Sequence, residues 1–173
     1  MAAHPPGLRY GALIFGVLAG NTLYYIVAGR FSEALESVAW YALLLLFLLE
    51  STRPRLSRVR WARAAMRGAR LAATLAIGVS GLLYVREQAW LDAANLCLWI
   101  AVVVLLEIGV WRPAVVAAHR RVFITTAVTL YAALGGMIVI WLISGKWMNA
   151  WDACGWLLAF GLLEAAALRA DKT

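Results

Sequence analysis

Charged residues are scarce in this sequence. Only 14% of its 173 residues are Asp, Glu, Lys or Arg, whereas 64% are hydrophobic. A soluble domain has about a quarter of its residues charged and about half apolar. This chain has too few polar side chains to cover itself in water, which excludes an ordinary soluble domain and indicates that lipid is its solvent.

The residues that most often bind zinc and haem are also rare. Cys97 and Cys154, the only cysteines, lie within apolar runs and form no CxxC pair, which argues against a disulfide framework or a zinc site. The only histidines, His4 and His119, lie outside the apolar runs and cannot supply two haem ligands from within a bilayer. We therefore predict neither a metal nor a cofactor.

Sequence signatures of catalysis and of nucleic-acid binding are missing as well. The chain has no HExxH, no GxSxG, no phosphate-binding glycine loop and no aspartate-rich lipid transferase pattern. The net charge of +7 comes from short segments between apolar runs, so we interpret it as a topological signal and predict no nucleic-acid partner. An enzyme is the least supported class, and we predict no catalytic residues.

Long apolar runs dominate the chain. Each approaches the length of about 20 residues that a helix needs to cross a hydrocarbon core of about 30 Å. The runs lack the alternation of barrel strands, and a backbone in lipid must satisfy its own hydrogen bonds, so we predict an all-α fold. It forms a single integral membrane domain over residues 1–173. The predicted spans are Tyr10–Ala28, Glu36–Glu50, Arg70–Val85, Trp90–Trp111, Phe123–Ser144 and Trp151–Leu168.

The distribution of Lys and Arg predicts the orientation of these spans. Thirteen of the 16 basic residues fall on one side, and only Arg30, Arg86 and Lys146 fall on the other. The positive-inside rule therefore places both termini and the basic loops in the cytoplasm, and the richness in Arg and Ala is compatible with a bacterial inner membrane. The predicted outer aromatic belt consists of Trp90, Trp147, Trp151, Tyr24, Tyr25 and Tyr84.

An internal repeat with a spacing of 57 residues is present. A Leu-Leu-Glu triplet ends at Glu50, Glu107 and Glu164, and Trp90–Asn95 matches Trp147–Asp152 at the same spacing. We predict three α-hairpin repeats, over about 9–53, 63–112 and 120–169, of which the first fits less well. Since every hairpin enters from the same side, we expect pseudo-threefold symmetry about the membrane normal.

Stripes of small residues distinguish the odd-numbered spans from the even-numbered ones. Such stripes let helices approach closely in lipid, so we expect the odd spans to form the inner bundle. The stripes are Ala12, Gly16 and Gly20; Ala69, Ala73, Ala76 and Ser80; and Thr125, Thr129, Ala132 and Gly136.

Polar residues within or beside the spans are candidates for a pathway or for coupling, because ionisable groups in a membrane are expensive and often functional. The alternatives are that the glutamates pair with arginines at the interface and that the aspartates favour a helix N-terminus. Asn21 and Thr22 are more simply explained by hydrogen bonds between helices, and Trp99 and Trp156 by packing. The candidates are Glu50, Glu107, Glu164, Asp92, Asn95, Asn149 and Asp152.

A basic segment over about 53–70 precedes the third span. We interpret it as a topogenic loop plus an extension of the third helix that grips anionic lipid head groups. The alternative is a docking site for an acidic partner or lipid. The arginines assigned to this role are Arg55, Arg58, Arg60, Arg63 and Arg67.

Two functions are compatible with these features. The first is a small transport module for an ion or small solute, in which polar groups of the hairpins line a path or site. The second is a non-catalytic accessory or assembly subunit that binds a membrane-protein partner, a second copy of itself or lipids.

Overall fold

The computed structural model describes residues 6–53 and 59–170, and it describes side chains from Leu13 to Gly161 except at 51–52, 54–58 and 110. No strand occurs in the described residues, which confirms the all-α prediction for that part of the chain. The helices are α1 (Pro6–Ala28), α2 (Phe31–Thr52), α3 (Arg60–Arg86), α4 (Trp90–Trp111), α5 (Pro113–Ala118), α6 (Arg120–Ile143) and α7 (Trp147–Ala170).

Each predicted span corresponds to one of the long helices. The fourth prediction has the bounds of α4, and the others differ from their helices chiefly in being shorter. The largest extension is in α3, which begins at Arg60 and therefore includes most of the basic segment. The short helix α5 was not predicted; Pro113 opens it, at a position where the missing N–H of proline costs no hydrogen bond.

Several helices are long and apolar enough to cross a membrane, which makes the chain compatible with a multi-pass membrane protein. Within the described side chains, four helices meet this criterion, and Leu13–Ala28 is a shorter apolar helix. The four are Phe31–Glu50, Arg60–Arg86, Trp90–Gly109 and Arg120–Ile143.

The chain divides into two compact units, of which the first contains α1, α2 and α3. In this unit α2 packs against both α1 and α3, so an even-numbered span lies at its centre. Ser37 of α2 donates a hydrogen bond to Thr22 Oγ1 of α1 at 3.1 Å, and Thr22 in turn donates to the Leu18 carbonyl at 2.9 Å. The predicted interhelical role of Thr22 is confirmed.

The second unit, Gln88–Gly161, is built around α4 and α6, which pack against each other and against the short α5. Met137 and Trp141 of α6 form a buried cluster with Ala150 and Ala153 of α7. On α4, Trp99 stacks on Phe160 of α7 with ring centroids 5.3 Å apart. Trp99 is therefore a packing residue, as predicted.

The turns before α4 and α7 have the same backbone geometry. Gln88 and Gly145 hold corresponding positions, each two residues before a helix, and both have positive φ, 56° and 74°. The residue preceding each of them donates its N–H to two carbonyls of the helix just ended. Left-handed backbone is costly for a residue with a side chain, so the glycine is the easier occupant of this turn.

The structure bears on the exposure of the small stripes and of the predicted aromatic belt, and the belt prediction is wrong in part. Gly16 and Gly20 of α1 and Gly136 of α6 are exposed and have no neighbouring atoms where a side chain would be, so the small stripes of these helices do not face the packing of their units. Tyr25 and Tyr84, assigned to an aromatic belt, are 6% and 2% exposed. Sequence alone gives no means to tell a belt tyrosine from one that packs within the fold.

Candidate functional site

Asp92 lies near the start of α4 and is buried. It is the third residue of the helix, where a carboxylate favours the positive end of the helix dipole. Its Oδ2 lies 3.8 Å from Nζ of Lys146, the residue that precedes α7. At this distance the two groups form an ion pair without a direct hydrogen bond.

Asn95 lies one turn further along α4, on the same face as Asp92. Its amide oxygen is buried and has no hydrogen-bond partner among the described residues. The same holds for the indole nitrogen of Trp141, whose side chain is 2% exposed. Buried polar atoms are nearly always hydrogen-bonded, so an unsatisfied acceptor and an unsatisfied donor in one unit indicate capacity to bind a further polar group.

Lys146 and Trp141 are connected through the backbone. The backbone N–H of Lys146 donates to the backbone carbonyl of Trp141 at 2.8 Å. The backbone of the lysine that pairs with Asp92 therefore lies next to that of Trp141. We call Asp92, Asn95, Trp141 and Lys146 the α4 site. The predictions included two of its members, Asp92 and Asn95, and missed Trp141 and Lys146.

Asn149 and Asp152 hold the same helical positions in α7 that Asp92 and Asn95 hold in α4, with acid and amide exchanged. Both side chains are partly buried. The unsatisfied amide oxygen of Asn95 and the nearly complete burial of Asp92 distinguish the α4 positions, so the α4 site is the better candidate for binding.

The surroundings of the predicted glutamates Glu50 and Glu107 differ from those of the α4 site. Glu50 pairs with Arg70 of α3 at 2.8 Å, and both side chains are partly accessible. Glu107 is exposed and accepts a hydrogen bond from the indole of Trp111 one turn later. Glu164 lies in α7, but its side chain is outside the described residues. An arginine partner was one predicted alternative, although Arg70 was not among those considered for Glu50.

A polar network at one end of the first unit was missed by the sequence analysis. Arg30, in the turn between α1 and α2, pairs with Glu33 at 2.8 Å and with Glu87 at 3.1 Å. The hydroxyl of Ser32, which is fully buried, donates to Glu87 Oε2 at 2.7 Å. The network therefore fixes the turn before α2 to the end of α3.

A second part of this network surrounds Glu36. The hydroxyl of Tyr84 donates to one carboxylate oxygen, and the indole of Trp40 donates to the other at 3.2 Å. The guanidinium of Arg30 also lies 5.6 Å from the centre of the Tyr84 ring, within cation–π range. The spacing of Glu36 and Trp40, one turn apart on a helix, was the signal available in the sequence.

Only some arginines of the basic segment lie within the described residues. Arg60, Arg63 and Arg67 are exposed on the first turns of α3, as an extension of the third helix predicts. Arg55 and Arg58 lie outside the described residues. Between Arg60 and Arg86 the helix contains no acidic residue.

These observations define the class of the protein as an α-helical chain with short turns, compatible with multiple membrane passes. In the part of the chain whose side chains are described, no group of three His, Cys, Asp or Glu residues is arranged to hold a metal ion. No family model, no curated protein and no solved structure matches the chain.

Proposed function

We propose that this chain is a bacterial inner-membrane protein of six spans, built as three hairpin repeats with pseudo-threefold symmetry and with both termini in the cytoplasm. Helices α1 and α7, of 23 and 24 residues, exceed the length of about 20 residues that a span requires, which supports adding them to the four spans above. The excess of basic residues on one side supports the orientation.

Recurring positions of buried residues support the repeat. Helix α3 ends at Arg86 and α6 at Ile143, 57 residues apart, and the same spacing separates the first residues of α4 and α7. The buried stripe of α3 recurs at this spacing in α6, and a stripe with the same internal spacing lies in α1. These stripes are Ile77, Ser80 and Tyr84; Leu134, Met137 and Trp141; and Leu18, Asn21 and Tyr25.

For function, we infer that the protein is a transport module for a small polar solute and that the α4 site binds this solute. The observation that carries the proposal is the pair of unsatisfied polar atoms, the acceptor on Asn95 and the donor on Trp141. A hydroxyl or amide group of a solute can donate to the first or accept from the second. Because the charges of Asp92 and Lys146 balance each other, the site favours a neutral solute over an ion.

The glutamates have a secondary place in this proposal. Glu50 is engaged by Arg70, and Glu107 is exposed and bonded to Trp111, so neither is buried among the helices of its unit as Asp92 is. We therefore assign the role first predicted for Glu107 to the α4 site. Glu107 then serves as the matched control in the functional test.

The test is solute flux in liposomes that contain the purified protein. Glycerol and urea entry is followed by light scattering after osmotic shock, and proton entry by an internal pH dye. We expect glycerol or urea entry above the level of empty liposomes, lowered about tenfold by Asn95→Leu through loss of one hydrogen bond to the solute. Glu107→Gln should leave it unchanged. Proton flux that depends on Glu107 and not on Asn95 contradicts the assignment to the α4 site.

The alternative function is an accessory or assembly subunit of a larger membrane complex. The pairing of Glu50 with Arg70 favours it, because a carboxylate bonded to an arginine of the neighbouring helix serves to hold the helices together. Absence of solute and proton flux in the folded protein, together with migration in a larger complex on native gels of mildly solubilised membranes, supports this function over transport.

A further inference from the structure

The first turns of α3 carry a row of arginines that the proposed transport function does not use. On a helix with about 100° per residue, Arg60, Arg63 and Arg67 lie within an arc of about 60°. All three side chains are exposed. We call these three residues the arginine face.

The direction of the arginine face is fixed by the packing of the first unit. Ala62 and Met66, which lie about 90° to 130° around the helix from the middle of this arc, are 3% and 8% exposed. Because these two residues are buried, the helix cannot rotate the arginines inward without exposing its apolar side. The arginine face therefore stays on the exposed side of these turns.

The length of α3 places the arginine face beside the membrane surface. The helix has 27 residues and therefore extends about 40 Å, whereas the hydrocarbon core is about 30 Å thick. The residues from Leu71 to Val85 contain no charge, so the excess length falls at the arginine end. The first two turns then lie at the depth of the lipid head groups.

The residues beside the arginine face suit the depth of the lipid head groups. Trp61, next to Arg60, is 73% exposed, and tryptophan is enriched at the membrane–water interface. Arg70, one turn beyond Arg67, is paired with Glu50, and α3 itself contains no carboxylate. The first turns of α3 are therefore strongly basic in sequence.

We propose that Arg60, Arg63 and Arg67 form a binding surface for the phosphate groups of anionic phospholipids. Guanidinium groups bind phosphate oxygens through paired N–H donors, and three of them on one helical face match a row of head groups. The position at head-group depth favours lipid over an acidic protein, which would contact the arginines from the water phase.

The experiment measures lipid preference at the protein surface. The protein is reconstituted in phosphatidylcholine vesicles with trace spin-labelled phosphatidylglycerol or spin-labelled phosphatidylcholine, and electron spin resonance gives the motionally restricted fraction of each label. We expect the wild type to prefer phosphatidylglycerol and the preference to weaken at high salt. The triple variant R60Q/R63Q/R67Q should lose about fivefold or more of this preference.

Three controls make the result specific. Arg86→Gln removes an exposed arginine from the opposite end of the same helix and should leave the preference unchanged. The variant R60K/R63K/R67K keeps the charge and should retain most of it. The single variants, which disturb insertion least, should each lower it by a smaller factor. Circular dichroism and gel filtration confirm that each protein is folded.

Two outcomes overturn the proposal. A wild type without preference for phosphatidylglycerol excludes lipid as the occupant and leaves an acidic protein partner as the interpretation of the arginines. A preference that persists in the folded triple variant shows that other basic residues bind the lipid. Neither outcome bears on solute flux through the α4 site, so the two proposals fail independently.

Discussion

Glu36 shows how a single carboxylate is accommodated by its immediate neighbours. Its two oxygens accept hydrogen bonds from Tyr84 and Trp40, and Tyr84 is almost completely buried. A hydrogen bond to a charged group is stronger than one between neutral groups, and leaving a partly buried acceptor without its donor is expensive. The Tyr84 hydroxyl therefore stabilises the contact between α2 and α3.

Replacing Tyr84 with Phe tests this contribution. We expect the variant to lose about 1–2 kcal/mol of stability, because the ring is kept and only the hydrogen bond to Glu36 is removed. The measurement is denaturant or thermal unfolding in detergent micelles, followed by circular dichroism. Tyr24→Phe, at an exposed position, is the control and should change stability by less than about 0.5 kcal/mol. Equal losses in the two variants argue against a specific role for Tyr84.

At the scale of elements, the turns before α4 and α7 have the same backbone geometry but different residues at the left-handed position. Both hold a left-handed residue, and both receive the same pair of N–H contacts at the end of the preceding helix. Gly145 suits this position, whereas Gln88 has a side chain there. The two turns therefore allow the cost of a side chain at a left-handed position to be compared within one protein.

Substitution at these two positions should have unequal effects. Gly145→Ala places a side chain at φ 74° and should cost about 1 kcal/mol, since left-handed backbone costs an L-residue about 1–2 kcal/mol and part of this is offset in the unfolded chain. Gln88→Gly removes strain and adds chain entropy, so we expect little change. Unfolding in micelles measures both. A large loss in Gln88→Gly shows instead that the glutamine side chain makes a contact of its own.

At the scale of the whole molecule, the central question is which helices cross the membrane. Four described helices are long and apolar enough, and the six-span proposal adds α1 and α7. The proposal places the turns before α2 and α7 outside and both termini inside.

Labelling of single cysteines decides the number of spans. In a variant without Cys97 and Cys154, new cysteines are introduced by Phe31→Cys, Ser144→Cys, Arg9→Cys and Lys172→Cys. Phe31 and Ser144 are exposed, and we expect an impermeant maleimide to label both positions in intact cells. Arg9→Cys and Lys172→Cys should react only after permeabilisation. Reaction of either in intact cells shows that α1 or α7 does not cross.

Composition and periodicity by themselves determined the helical class and the location of every long helix. Lipid leaves a long apolar run no alternative to helix, so the bounds of α4 followed directly from its sequence. The candidate residues Asp92 and Asn95 were also visible, because a polar residue in an apolar run stands out.

Tertiary structure alone decided which polar groups meet. Arg30 and Glu87 lie 57 residues apart, and Glu50 and Arg70 lie 20 apart, so neither pair follows from spacing along one helix. Trp141 and Lys146 joined the α4 site only through the packing of α6 and α7 in their unit. The physical reason is that periodicity specifies the faces of a helix, whereas side-chain contacts depend on which helices pack together and in which register.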